Sequence, residues 1–137
     1  SMFNNLLTSI GIGSIKVDTH IENNINYEND LIKGVVILEG GNTDQKVNRI
    51  EITLIERIQN DDKTSQFSEV DNELDTYIYA GEFTVRAKEV EKVHFQFKLE
   101  NHDIDVKNNK IYMKTHVFVD HSVDAYDEDE VLVYKIE

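Results

Sequence analysis

The chain has 137 residues, with 27 acidic against 14 basic side chains, a net charge of −13, and neither cysteine nor proline. That length suits one domain; the missing cysteines exclude a disulfide framework and thiolate metal sites, and the charge argues against nucleic acid and anionic lipid as partners. No basic residue precedes Lys16, and no apolar run approaches the roughly 18 residues of a membrane span, so a cytoplasmic protein without membrane insertion is expected.

Phe3, Leu6, Leu7 and Ile10 fall at i, i+3, i+4 and i+7, which predicts a helix over about 3–10 with one apolar stripe. Its polar face holds Asn4, Asn5, Thr8 and Ser9 and no cation, unlike an interfacial membrane helix. The stripe is expected to pack on the body of the domain, or to meet a partner or a second copy. Gly11 suits the helix C-cap. Gly11 and Gly13 are read as a turn: a phosphate loop needs strand, glycines and then a helix N-terminus, and here the order is reversed. Where a dinucleotide fingerprint would have its third glycine stands Lys16.

From Ile15 the period becomes two. Ile15, Val17, Thr19 and Ile21 line one side, and Lys16, Asp18, His20 and Glu22 the other. "LIKGVVILEGG" (31–41) predicts a strand closed by Gly40 and Gly41. Val35 and Ile37 lie opposite Ile32, Val36 and Leu38, so both faces are apolar. The outer one needs a cover, because exposed apolar surface forgoes about 25 cal/mol per Å2. The helix, a second domain or a partner would each serve.

"NRIEITLIERI" (48–58) places Ile50, Ile52, Leu54 and Ile58 on one face, and "QNDDKTSQFSEVDNE" reads as the longest loop. "YIYAGEFTVRA" reads as one strand with Tyr77, Tyr79, Phe83, Val85 and Ala87 together and a bulge at Gly81. "VHFQFKL" offers Val93, Phe95, Phe97 and Leu99 to the core, and "IYMKTHVFV" offers Ile111, Met113, Val117 and Val119. "VLVYKI" closes the chain. Seven or eight such strands with turn signals between them predict an all-β sandwich.

The chemistry-bearing residues are sparse. "DHSVDAYDEDE" gathers Asp120, Asp124, Asp127, Glu128, Asp129 and Glu130. It reads as a solvated inter-strand turn, with part of a partner surface or a weak cation site as the alternatives. The EF-hand pattern fails, since the third position counted from Asp124 is Tyr126 and no glycine follows at the sixth. His20, His94, His102, His116 and His121 form no short ligand pair, and His20, His94 and His116 fall on polar strand faces. No nucleophile elbow or P-loop is present. The sequence therefore predicts no enzyme, no catalytic residue, no metal site and no cofactor.

Four stretches resemble the bacterial sporulation-control family, whose members are arrestin-like: "FNNLLTSIGIGSIKVDT", "YENDLIKGVVILEGG", "FTVRAKEVEKVHFQFKLE" and "KTHVFVDHSVDAYDEDEVLV". Asn101, His102 and Asp103 stand where the family usually has prolines, and Ile111 and Tyr112 where it often has a tryptophan. The resemblance implies an immunoglobulin-like (arrestin-like) β-sandwich spanning 1–137, matching the first of the family's two tandem sandwiches. It also implies a non-enzymatic cytoplasmic regulator or scaffold acting through contacts with other proteins. The expected contact residues are Phe3, Leu6, Leu7 and Ile10 on the helix, Val35 and Ile37 on the apolar outer face, and Asp124, Asp127 and Asp129 in the acidic run. A homodimer through the helix or a strand edge stays open. So do two rival functions, a calcium-dependent binding module and a hydrolase with scattered carboxylates.

Overall fold

The computed structural model describes residues 13–22, 25–26, 31–59, 69–98 and 103–134. The expected helix with Phe3, Leu6, Leu7 and Ile10 lies outside them, as do Leu99 and His102. Among the described residues ten strands follow in order: β1 (Lys16–Ile21), β2 (Ile25–Asn26), β3 (Leu31–Glu39), β4 (Gln45–Gln59), β5 (Glu69–Tyr79), β6 (Phe83–Val85), β7 (Val90–Lys98), β8 (Lys110–Val119), β9 (Ala125–Val131) and β10 (Val133–Tyr134).

Two antiparallel sheets carry the fold. One runs β1–β3–β7; the other runs β5–β4–β8–β9, with β6 beside the start of β4. β2 and β10 form a short parallel bridge. Alternation explains the layering: Val17, Ile32, Val36, Leu38 and Phe95 point from the first sheet toward Ile50, Ile52, Leu54, Met113 and Val117 of the second, all buried in one cluster. Each such side chain stabilises the fold by about 1.5–3 kcal/mol through burial. The architecture is the β-sandwich that the spacing predicts.

The turn reading of Gly13 is explained by its geometry. Gly13 takes φ +82°, and its carbonyl accepts from the Asn42 N–H at 3.1 Å. The chain at 40–42 passes so close that a Cβ on Gly41 would collide with the Gly13 carbonyl.

Four local expectations are corrected. "YIYAGEFTVRA" forms two strands, β5 and β6, with Gly81 in their connection. The bulge lies earlier, where pairing to β4 jumps from Leu54–Asp75 to Ile55–Glu73 and leaves Leu74 as the extra residue. β5 also begins at Glu69, so it takes the end of the expected long loop. Most of the acidic run is a strand rather than a turn. In β9, Ala125, Asp127 and Val131 are buried while Tyr126, Glu128 and Glu130 are exposed, an alternation disguised because an inward position is polar. Finally, Asp18 does share the side of β1 that holds His20, as expected, but it is buried there (5% exposed) beside β9 instead of facing solvent.

Candidate interaction surfaces

The outer face of the larger sheet is built from the odd-numbered positions of β4, which stand opposite its apolar ones. Arg49, Glu51, Thr53, Ile55 and Arg57 pair across to Phe118, His116, Lys114, Tyr112 and Lys110 on β8. On the next strand, Tyr126, Glu128 and Glu130 pair with His116, Lys114 and Tyr112. Rows of side chains thus cross three strands, and β5 extends them with Asp71, Glu73 and Ile78.

Arg57 organises one end. Its Nε and one terminal nitrogen donate to the two oxygens of Asp71 at 2.8 and 3.1 Å, and it also donates to Glu128 at 2.9 and 3.4 Å. The guanidinium lies over the Tyr112 ring, 4.3 Å from its centroid. Lys114 Nζ donates to Asp71 at 3.2 Å. Hydrogen bonds from Arg57 and then Lys114 hold the Asp71 carboxyl below the usual carboxylate range.

An aromatic stack organises the other end. His116 stacks on Phe118 at 3.7 Å and leans on Tyr126 at 4.3 Å between centroids. Arg49 lies 3.6 Å over the Phe118 ring. His116 Nε2 is 2.8 Å from Asp124 Oδ2, and the other Asp124 oxygen accepts from the Val119 N–H at 2.9 Å. Asp124 therefore closes the β8–β9 turn and fixes the imidazole.

Between these two ends lies a concavity of about 610 Å3, walled by Glu51, Glu73, Lys114, His116, Tyr126 and Glu128. Ile55 also lines it; that side chain points away from the hydrophobic core, yet it is only 4% exposed. Tyr126 stands at the rim, 47% exposed.

A second assembly lies where β1 and β9 face each other. Asp127 Oδ2 accepts from the Thr19 N–H at 2.7 Å, and Thr19 Oγ1 meets Thr115 Oγ1 at 2.7 Å. One carboxylate oxygen from each of Asp18, Asp127 and Asp129 lies within 4.8 Å of the others, and His20 Nε2 is 2.9 Å from Asp18. Burial, with the hydrogen bond and charge of Asp127 acting the same way, pushes the Asp129 carboxyl up to about 7.

The expected contact residues separate accordingly. Val35 and Ile37 do point outward from β3, half-buried, between Lys92 and His94 of β7 and Asp18 and His20 of β1. Asp124 is partly buried and committed to its turn. Asp127 is turned inward and buried, so it does not present the solvent-facing carboxylate expected of it. Asp129 shares its side of β9 and is partly buried. Asp127 and Asp129 are brought together, with Asp18 rather than Asp124 as the third member. Arg57, Tyr126 and the outer row of β4 were not singled out from the sequence. Their signal was the charged and polar set Arg49, Glu51, Thr53 and Arg57 alternating with the isoleucines.

Comparison with known proteins gives a consistent result. A family model described as SpoOM protein matches residues 3–136. The sporulation-control protein Spo0M of Bacillus subtilis (strain 168) is 26% identical over 137 residues, covering 97% of this chain and 52% of the relative. The chain thus spans about half the length of that curated relative. The crystal structure of Spo0M from Bacillus subtilis superposes with a TM-score of 0.74 at 23% identity, over 89% of this chain and 50% of that one. A transglutaminase from red sea bream shares the fold more distantly, with a TM-score of 0.53 at 9% identity, over 88% of this chain and 17% of that one.

Proposed function

The chain belongs to the Spo0M family, and from that premise we propose that it is a non-enzymatic regulator in sporulation control or a related control of cell state. It works in the cytoplasm by holding other proteins on the outer face of its larger sheet. The observation that carries this reading is the concavity of about 610 Å3 between the Arg57 clamp and the His116 stack. Its two ends are fixed before any partner arrives, because Arg57, Asp71 and Glu128 are tied together and His116 is held by Asp124 and two rings. Preorganisation of this kind lowers the entropic cost of association. The Bacillus relative's name as a sporulation-control protein supports a control role, and the proposal carries it over to this half-length match.

The test is site-specific cross-linking in cells. A photoreactive phenylalanine analogue replaces Tyr126 in one variant and Glu89, outside the larger sheet, in another. A discrete protein adduct from position 126 and none from position 89 supports the reading; no adduct at 126, or the same adducts at both, removes it. The calcium-dependent reading has one observation in its favour, the convergence of Asp18, Asp127 and Asp129. Clustered carboxylates suit hard cations. Calcium at 100 times its dissociation constant would add about 2.7 kcal/mol to stability, so an unmoved melting temperature in millimolar calcium ends that reading.

A further inference from the structure

We propose that the concavity on the larger sheet takes an extended, arginine-bearing segment of its partner protein. This rests on the reading of that face as the partner-binding surface and names the chemistry that fills it.

The electrostatics set the sign of the ligand. The lysine that lines the concavity is already committed, Lys114 to Asp71, and Arg57 beside it is held by Asp71 and Glu128. Two wall carboxylates are held more loosely. Glu73 accepts a hydroxyl from Thr76 at 2.9 Å, and Glu51 lies 3.6 Å from the Arg49 Nε. Those contacts leave acceptor positions on both carboxylates, each of which can take about four hydrogen bonds. The surrounding field reinforces them, since the whole chain carries −13. Low-dielectric walls around a concavity focus such a field inward.

Shape and surface chemistry narrow the ligand from any cation to arginine. Tyr126 offers an aromatic face at the rim, backed by the His116 ring at 4.3 Å. A guanidinium can stack there and still direct its forked donors at a carboxylate, which an ammonium cannot match. The same pairing already exists twice on this face within the chain, as Arg49 over Phe118 and Arg57 over Tyr112. The hollow crosses four strands, about 14 Å at the usual inter-strand spacing, which an extended chain spans with about four residues. Ile55 and Thr53 give such a chain a partly apolar floor.

The probe is a fluorescein-labelled peptide of alternating arginine and alanine, about ten residues long, titrated into the purified chain and followed by fluorescence anisotropy. Three variants are compared with the unmodified protein: Glu51→Gln with Glu73→Gln, Tyr126→Ala, and a charge-matched control, Glu22→Gln with Glu89→Gln. All of these positions are partly or fully solvent-accessible, and circular dichroism confirms that each variant folds. The first two variants should weaken binding about tenfold while the control stays within about twofold of the unmodified protein. Equal loss in the control would mean unspecific attraction to an acidic protein and would overturn the proposal. So would binding that a lysine–alanine peptide matches, or that Tyr126→Ala leaves unchanged. None of these results touches the cross-linking outcome, so the broader reading of the face stands or falls separately.

Discussion

Thr19 and Thr115 meet hydroxyl to hydroxyl at 2.7 Å across the interior, one from each sheet, and both are 1% exposed. The Thr19 N–H is meanwhile taken by Asp127 at 2.7 Å. This is a polar rivet between the sheets, beside the apolar cluster. Replacing Thr115 with valine keeps the volume but leaves the Thr19 hydroxyl buried with its partner gone, a loss of about 1–3 kcal/mol. Replacing both threonines with valine should recover part of that loss, because neither hydroxyl is then stranded. Urea unfolding of the two single variants and the double variant measures the coupling. A double variant as unstable as the sum of the singles would show that the contact contributes nothing.

That rivet also marks the limit of what the sequence disclosed. Alternation identified the apolar sides of β3, β4 and β8 because their inward residues are mostly hydrophobic, with Thr115 in β8 and Glu56 in β4 as buried polar exceptions. It misjudged β9, where Asp127 takes an inward position, and it did not show that Asp18, on the His20 side of β1, is buried. A period of two assigns residues to opposite faces, but it cannot tell which strands lie at a sheet edge and face one another across the sandwich. Asp18 and Asp127 lie far apart in sequence, so their meeting depends on the order β1–β3–β7 set against β5–β4–β8–β9. Ile55 shows the same gap in reverse. It lies on the charged side of β4 and is buried because Glu73 and Tyr112 pair on either side of it.

Stability should fall as the pH rises through neutrality. The Asp129 carboxyl is pushed up to about 7 by burial first and by Asp127 second, against about 3.9 in an unfolded chain. Between those values the folded state binds the extra proton, so folding is favoured on the acidic side and that advantage is lost as the pH passes 7. Asp129→Asn keeps the shape and cannot ionise. The slope of unfolding free energy between pH 5.5 and about 8 should therefore be smaller in that variant. Identical slopes would place the responsible proton elsewhere.

Arg57→Lys should separate fork geometry from charge. A lysine preserves the charge but cannot give Asp71 two parallel bonds while also reaching Glu128. The expected loss is about 1 kcal/mol at low salt, because the guanidinium end is partly shielded and serves two carboxylates. The Asp71 carboxyl is held below its ordinary range chiefly by Arg57. Its contribution is present above the unfolded carboxylate range and is lost as the pH falls through the lower folded value. The difference between Arg57→Lys and the unmodified protein should therefore shrink in acid, as followed by thermal melts. A gap that persists unchanged at pH 2, or about that, would refute the assignment to this ion pair.

The junction of residues 13–15, 40–42 and 86–89 gives the sharpest contrast between two glycines. Gly41 faces the carbonyl of Gly13 so closely that a methyl group would strike backbone on both sides of that peptide. Backbone cannot swing away as a side chain does, and the same hub is tied by bonds from the Lys88 N–H to the Gly41 carbonyl at 3.1 Å and from the Gly40 N–H to the Glu89 carbonyl at 2.8 Å. Gly41→Ala should therefore cost about 1–3 kcal/mol or more through forced displacement. Gly81, by contrast, would meet only the Tyr79 ring at ordinary contact distances of 3.4–3.5 Å. Gly81→Ala also narrows the freedom of the unfolded chain, which by itself favours folding by about 0.4–1 kcal/mol. Melting temperatures of the two alanine variants should move in opposite directions. If both fell equally, the cost would belong to losing any glycine near a turn, and the close approach of Gly41 to Gly13 would not explain it.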